Sequence, residues 1–282
     1  MGGYGTLTLC GTPVGNLEDM TYRAVRVLGE VDIIAAEDTR HTRKLLTHFD
    51  IHTPLISYHE HNKVQRGPEL IEKLKQGKDI ALVTDAGTPG ISDPGEDIVR
   101  LAQEEGIKVT AVPGAVAGIL GLIISGQRTR RFSFEGFLPS DKKERKRRLE
   151  ALNKETNTII LYEAPHRIKK TLGYLHEGLG NRSVTIVREL TKKYEEVAKM
   201  DLDTAILYFG EKDPRGEYVL IVEGANQEEL DQEIADSWNS ITVKDHMKQY
   251  MDQGLGEKEA MRSVAQDRGV SRREIYQYIK VD

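Results

Sequence analysis

The sequence predicts an α/β fold with a helical tail, and three observations carry that expectation. Short apolar runs alternate with longer amphipathic patterns over the first 224 residues. Glycine- and proline-rich loops follow two of those runs directly. Beyond about residue 226 no strand pattern recurs.

The predicted strands, in order, are Thr6–Cys10, Val31–Ala36, Pro54–Tyr58, Ile80–Thr84 and Lys108–Val112, then Arg131–Phe137, Thr158–Tyr162, Ser183–Arg188 and Tyr218–Val222. Helical patterns at Met20–Leu28, Glu69–Gln76, Ile98–Glu105 and Arg167–Glu177 lie between them, which favours mainly parallel sheets. In Ser92-Asp93-Pro94-Gly95-Glu96, the expected helix start has Asp93 as N-cap, Pro94 as first helical residue and Glu96 as capping-box acid. The Gly/Ser-rich stretch 114–126 gives way to the charged Arg128–Arg131, and Gly224-Ala225-Asn226 follows the last strand. The expected domains are therefore 1–126 and 127–224, both α/β, and a helical 225–282.

In the tail, Ala265, Gly269 and Ile275 fall where a helix-turn-helix wants small, turn and buried residues, with Ser271 placed to cap the second helix. A plain helical hairpin used for packing fits the same pattern. Base reading would fall to Arg272 and Arg273.

Composition narrows the class. The chain has 282 residues, 38% of them hydrophobic, ample for a buried core. Its 40 Lys+Arg and 45 Asp+Glu leave a net charge of −5, so any nucleic-acid contact must come from local basic patches. The single cysteine, Cys10, excludes an internal disulfide and a cysteine-based zinc site, and the eight histidines have no metal-ligand spacing, so no metal is expected. No apolar run reaches the roughly 18 residues of a membrane span and no secretory signal is seen, so a cytoplasmic protein is expected.

Most of the chemistry sits in two loops, Gly11-Thr12-Pro13-Val14-Gly15-Asn16-Leu17 and Asp85–Gly95. In open α/β sheets ligands bind beyond the carboxyl ends of strands, where glycine lets the backbone approach closely. Neither loop matches G-x-G-x-x-G or the Walker pattern, so hydride transfer and nucleotide hydrolysis lose their usual support. Plain strand-to-helix turns are the simpler reading, less so for a second loop with so many Gly and Pro. Basic clusters occur at Arg40, Arg43 and Lys44, at Arg128, Arg130 and Arg131, and at Lys142, Lys143, Arg145, Lys146, Arg147 and Arg148. Such runs are usually solvated helix faces, but several in a net-acidic chain suit a phosphate-contacting rim.

Five ordered motifs carry a specific resemblance. Gly11–Asp19, Ala35-Ala36-Glu37-Asp38-Thr39-Arg40-His41-Thr42, Asp85–Gly95, Tyr162-Glu163-Ala164-Pro165-His166-Arg167 and Arg188-Glu189-Leu190-Thr191 resemble the ribosomal RNA small-subunit methyltransferase I family of the tetrapyrrole methylase superfamily. The resemblance spans about residues 5–224, and the tail is similar to the short helical domain of family members. Ala164 stands where serine is common in the family, and Ala115-Val116-Ala117 where Pro-Ser-Ala is.

The resemblance implies a cleft between two α/β domains that holds S-adenosylmethionine. Pro13, Thr88, Ile91 and Ser92 would form its floor, Ala115, Val116 and Ala117 a second wall, and Tyr162 and Glu163 the approach from the other domain. It implies methylation of a cytidine 2′-hydroxyl in the decoding region of 16S ribosomal RNA by a homodimer. A ribose hydroxyl needs a base to become a good nucleophile. By position Asp38 and Asp85 lead, followed by Glu60 and Glu189. Ion pairing of Asp38 with Arg40 and of Glu189 with Arg188 would disqualify those two. Methylation of a small tetrapyrrole is the competing enzymatic reading, and a DNA-binding regulator built on the tail is the competing non-enzymatic one.

Overall fold

The computed structural model describes residues 3–281 and contains two five-stranded sheets followed by a helical tail. The first sheet comprises β1 (Leu7–Cys10), β2 (Ile33–Ala36), β3 (Leu55–Ser57), β4 (Ile80–Val83) and β5 (Val109–Val112). Its order is β3-β2-β4-β1-β5 and every pairing is parallel. The connecting helices are α1 (Tyr22–Glu30), α2 (Thr39–His48), α3 (Lys63–Lys75) and α4 (Gly95–Glu104). Period-two alternation feeds both faces of this sheet. Leu7, Ile80 and Leu82 enter one core with α3 and α4, while Cys10, Ala81 and Val83 enter the other with Ala24, Leu28 and Leu46 of α1 and α2.

Helix α5 (Ala117–Ile124) crosses to the second sheet and packs on β7 and β10. That sheet holds β6 (Phe132–Gly136), β7 (Thr158–Glu163), β8 (Ser183–Arg188), β9 (Glu196–Asp201) and β10 (Tyr218–Val222), in the order β6-β7-β10-β8-β9. Only β6 and β7 are parallel, so the expectation of mainly parallel sheets holds for the first sheet and fails for the second. Helices α6 (Lys142–Asn153), α7 (Ile168–Leu179) and α8 (Leu202–Gly210) cover one face, where Leu152, Leu172, Leu175 and Phe209 meet Ile159, Leu161 and Leu220. The opposite face, with Ile160, Val219 and Ile221, is covered by Leu122 of α5.

Every predicted strand forms, with ends moved by at most two residues. Strand β9 is additional, as are α5 and α8. Helix α3 starts at Lys63, well before the predicted Glu69, and carries Pro68 inside it. The expected start of α4 is also altered. Pro94 takes the cap position, Gly95 is the first helical residue, and Asp93 instead accepts the Gly95 and Gly90 amides at 2.8 and 2.9 Å.

The tail comprises α9 (Gln227–Ser237), a 3-10 turn at Trp238–Ser240, α10 (Val243–Asp252), α11 (Glu257–Asp267) and α12 (Arg272–Val281). Met247, Ala260, Val264, Ala265 and Ile275 form its core. Gly269 turns between α11 and α12 at φ +62°, and Ser271 caps α12 reciprocally with Glu274. Among the described residues no helix is long and apolar enough to cross a membrane.

Candidate active site

The carboxyl ends of β1, β2, β4 and β5 point toward the edge of the second sheet where β7 ends and β10 begins, and a cleft of about 470 Å3 lies there. The first unit contributes Val14, Glu37, Thr84–Thr88, Ile91–Asp93, Val116 and Ala117. Phe137, Tyr162–Pro165, Leu190 and Glu217–Val219 come from the second.

Hydrogen bonds fix the two Gly/Pro loops against each other. Thr12 and Gly87 exchange both backbone bonds at 2.8 and 3.1 Å, and the Thr12 hydroxyl donates to the Thr84 carbonyl at 3.1 Å. Gly11 lies against Gly114, where an added Cβ would come 2.6 Å from the Gly114 Cα. Only glycine permits that approach between neighbouring strand ends. The Thr88 hydroxyl donates to the Ala115 carbonyl at 3.0 Å, joining the second loop to the segment after β5. Ser92 sits at φ +65° near the loop tip and is exposed.

Tyr162 anchors the other wall. Its hydroxyl accepts the Gly118 amide at 2.9 Å, satisfying one of the free N–H groups at the start of α5, where the Val116 cap position supplies no side-chain bond. Phe134 and Phe137 pack edge-on against its ring at 5.2 and 5.9 Å. Across the cleft, the Thr191 hydroxyl donates to the Val14 carbonyl at 3.1 Å and ties the two units together.

The electrostatics of the cleft are one-sided. Glu37, Asp85, Asp93, Glu163 and Glu217 line it, and no Lys or Arg does among the described residues. Burial pushes the Asp85 carboxyl up, and the negative charges of Glu37 and Asp38 add to it. Burial likewise raises Asp93. Glu37 accepts the Thr84 hydroxyl at 2.7 Å. Glu163 is only 2% exposed and is held by the Ala164 amide, the Thr171 hydroxyl and, at 3.4 Å, Arg167, so its carboxylate braces the second unit.

Of the predicted ligand-contacting residues, Thr88, Ile91, Ser92, Val116, Ala117, Tyr162 and Glu163 line the cleft. Pro13 lines an adjoining groove of about 260 Å3 with Thr12, Gly15, Asn16, Leu17, His41, Lys44, Leu45 and Asp85. Ala115 is not among the lining residues, and its carbonyl accepts the Thr88 hydroxyl.

Of the four base candidates, only Asp85 lines the cleft. Asp38 caps α2 by accepting the Arg40 amide at 2.8 Å, and the Arg40 guanidinium, 3.2 Å away, holds its carboxyl below the usual range. Glu60 is exposed and paired with Lys63 at 2.9 Å. Glu189 is paired with Lys192 at 2.9 Å, not with Arg188, which pairs with Glu196. Although burial pushes the Glu189 carboxyl up, its bonds to Lys192 and the Glu217 amide outweigh this and lower it. The sequence reading passed over Glu37 in favour of its neighbour. The signal was available, because Asp38 is a helix-cap residue type directly before Thr39.

The basic clusters separate in space. Arg40, Arg43 and Lys44 are exposed on α2 beside the groove. Lys142, Lys143, Lys146 and Arg147 are exposed on α6, Arg145 stacks over Tyr174 at 4.1 Å, and Arg148 is bound to Glu135. Arg128, Arg130 and Arg131 precede β6, at the sheet edge opposite the cleft, so they do not join its rim.

Fold and site together define a two-unit α/β protein with an acidic ligand cleft at the carboxyl ends of its strands. The model of the tetrapyrrole (corrin/porphyrin) methylases matches residues 6–206, and the chain belongs to that family. It is 51% identical, over 96% of its length and 93% of the relative's, to a Bacillus subtilis protein named ribosomal RNA small subunit methyltransferase I. Relatives of the same name from Synechocystis and Pasteurella multocida are 50% and 42% identical, each match covering 97% of this chain and 96% of the relative. Among solved structures, uroporphyrin-III-C-methyltransferase from Thermus thermophilus superposes with a TM-score of 0.56 at 19% identity, covering 77% of this chain and 94% of that one. A diphthine synthase gives 0.59 at 14%, covering 78% and 90%. Another structure of the Thermus enzyme, in complex with S-adenosylhomocysteine, gives 0.56 at 15%, covering 78% and 97%. These likenesses establish the fold.

Proposed function

We propose that the chain transfers a methyl group from S-adenosylmethionine to the 2′-hydroxyl of a cytidine in the decoding region of small-subunit ribosomal RNA. The observation that carries the reading is the character of the cleft, lined by small residues, aromatics and carboxylates and, among the described residues, by no Lys or Arg. S-adenosylmethionine supplies an activated methyl carbon on a sulfonium, and its sulfonium and ammonium charges suit such a lining. Thr88, Ile91, Ser92, Val116, Ala117 and Tyr162 would hold it.

Asp85 is the base in this reading. A half-buried carboxyl raised above its ordinary value takes a hydroxyl proton more readily than an exposed one. Desolvation by the loop walls keeps the proton on that carboxyl, and the fixed loops hold the acceptor oxygen in line. Nearly full-length relatives at 42–51% identity carry an RNA-directed name, whereas the structures named for uroporphyrin III are 15–19% identical. That contrast favours RNA over a small tetrapyrrole.

The working units are the segments 1–126, 127–224 and 225–282, and the enzyme acts as a cytoplasmic homodimer. Exposed Ile119, Ile123 and Ile124 of α5 and exposed Phe132 and Phe134 of β6 supply apolar surface for a dimer face. The RNA substrate is met through α2 and α6, and the tail serves as a further RNA or ribosome contact.

The test offers labelled S-adenosylmethionine with small ribosomal subunits, deproteinised ribosomal RNA and no RNA in parallel. Label in the RNA of the first or second supports the reading. Intact cofactor binding with no label in either overturns it.

A further inference from the structure

Two hollows meet at one carboxylate. The cleft between the units and the groove beneath α2 have a single lining residue in common, Asp85. Their linings differ in charge composition. The cleft has carboxylates and no Lys or Arg among the described residues, whereas the groove has Lys44 and His41 on one wall. The opposite wall is Pro13, Gly15, Asn16 and Leu17, and Leu17 is 44% exposed although it is apolar.

The sequence of α2 accounts for the basic wall. His41, Lys44 and Leu45 recur at i, i+3 and i+4, so they form one stripe facing the groove. Arg40 and Arg43 form the next stripe, and Thr42 and Leu46 turn inward and are buried. Arg40 is committed to Asp38, but no ion pair engages Lys44 or Arg43 among the described residues. Asp38 caps the helix and its amide bonds Asp85 at 3.0 Å, so the start of α2 is anchored to the carboxylate where the hollows join.

We propose that this groove is the acceptor subsite, taking the sugar and phosphate of a single-stranded RNA nucleotide with Lys44 on the phosphate and Asp85 at the ribose hydroxyl. The proposal rests on the methyl-transfer reading above and specifies where its second substrate lies. A cationic donor then lies among the cleft carboxylates, and the acceptor's phosphate lies beside the one Lys of the groove, with Asp85 shared between the two substrates. The apolar Pro13 and Leu17 on one wall and Leu45 on the other offer contact to a sugar edge or an unstacked base. In the reaction the O–C bond forms as the C–S bond breaks, and the hydroxyl proton passes to the Asp85 carboxylate. S-adenosylhomocysteine leaves.

The test measures binding of a 12-nucleotide single-stranded oligoribonucleotide centred on a cytidine, in saturating S-adenosylhomocysteine, across a salt series. Lys44→Glu is expected to weaken the oligonucleotide by about tenfold or more while S-adenosylhomocysteine affinity stays within about twofold of wild type. Lys44→Ala, a milder change on an exposed helix face, is expected to lower the salt slope by about 0.7, one phosphate contact to a single strand. Lys108→Glu is the control, exposed at the start of β5 on the end of the first sheet away from the cleft. Oligonucleotide affinity unchanged by Lys44→Glu, or lowered equally by Lys108→Glu, overturns the proposal. So does a parallel loss of S-adenosylhomocysteine affinity. Methyl transfer is assayed on the same proteins. If wild type binds the oligonucleotide through Lys44 but transfers no methyl group to ribosomal RNA, the reaction falls and the groove stands. If transfer persists undiminished in Lys44→Glu, the groove falls and the reaction stands.

Discussion

Asp85 accepts a hydrogen bond from the backbone amide of Asp38 at 3.0 Å, while the Asp38 carboxylate turns away to cap α2 and meet Arg40. Two acidic residues at neighbouring strand ends are thereby assigned different work. Asp38 is exposed enough to stay ionised beside a guanidinium, and its carboxyl is lowered. Asp85 is half-buried among other carboxylates, and its carboxyl is raised. Only one of the pair is poised to take up a proton.

Asp85→Asn is expected to lower kcat by about 100-fold or more, with S-adenosylhomocysteine affinity retained. In wild type, activity should be lost as pH falls through the raised Asp85 value, and the variant's residual rate should not show that limb. Stability runs the other way. Because folding raises this carboxyl, the folded state binds more protons than the unfolded state just above the ordinary carboxylate value of 3.8. Asp85 therefore costs stability as pH rises through that window, and the variant should melt at the wild-type temperature or higher at pH 7. A thermal melt beside a pH–rate profile checks both.

Tyr162→Phe removes the acceptor for the Gly118 amide. The expected cost is about 1 kcal/mol, because a helix-start N–H loses its partner in a half-buried place. For a protein of this size that corresponds to a fall in Tm of about 2–4 °C. The aromatic contacts to Phe134 and Phe137 survive, so a much larger loss would contradict the assignment.

Gly11→Ala should be far worse than its chemistry suggests. The new methyl group would stand 2.6 Å from the Gly114 Cα, a backbone atom of the adjacent strand end that cannot swing aside. The loops after β1 and β5 must part, at a cost of about 1–3 kcal/mol, and S-adenosylhomocysteine affinity should fall as well. Gly29→Ala is the counterpart in exposed helix, with nothing within 4 Å, and should raise stability by about 0.5–1 kcal/mol. Thermal melts of the two variants should move in opposite directions.

The tail should loosen in acid before the rest of the molecule. His246 is fully buried and stacks on Trp238 at 3.8 Å, with Nδ1 accepting from Arg268 and Nε2 facing Asp267 at 3.2 Å. Burial is the main influence and lowers the imidazole from the ordinary value of 6.5, although Asp267 pulls the other way. The unfolded tail then binds the proton more readily, so stability is full above that value and declines as pH falls through the lowered folded one. Trp238 is the sole tryptophan and reports the tail selectively. Its fluorescence should change between pH 7.5 and 5, and a flat signal would count against this reading.

Much of this architecture was legible because local chemistry and tertiary role agree. The Gly/Pro loops sit directly after β1 and β4, so strand recognition alone places them at the ligand-binding end of the sheet. The Gly269 turn and the Ser271 cap likewise follow from φ and hydroxyl chemistry alone. Strand β9 was missed because Glu196-Val-Ala-Lys-Met-Asp201 lies on a sheet edge, where exposed polar residues interrupt the apolar alternation. Helix α5 was hidden inside a Gly-rich stretch in which Gly118 and Gly121 serve close packing on β7 and β10, not flexibility. Strand direction in the second sheet has no local signature, since an isolated strand reads alike in either sense. The choice among Asp38, Asp85, Glu60 and Glu189 turned on which carboxyl lines the cleft, a tertiary fact, whereas the partners of the other three, Arg40, Lys63 and Lys192, lie within three residues of them.

Nucleoside analysis by mass spectrometry after methyl transfer to small-subunit ribosomal RNA tests the central claim most directly, with wild type and Asp85→Asn run side by side. The expected result is 2′-O-methylcytidine from wild type and about 100-fold less from the variant. A base-methylated nucleoside, or equal 2′-O-methylcytidine from both proteins, would contradict a ribose-directed reaction driven by Asp85.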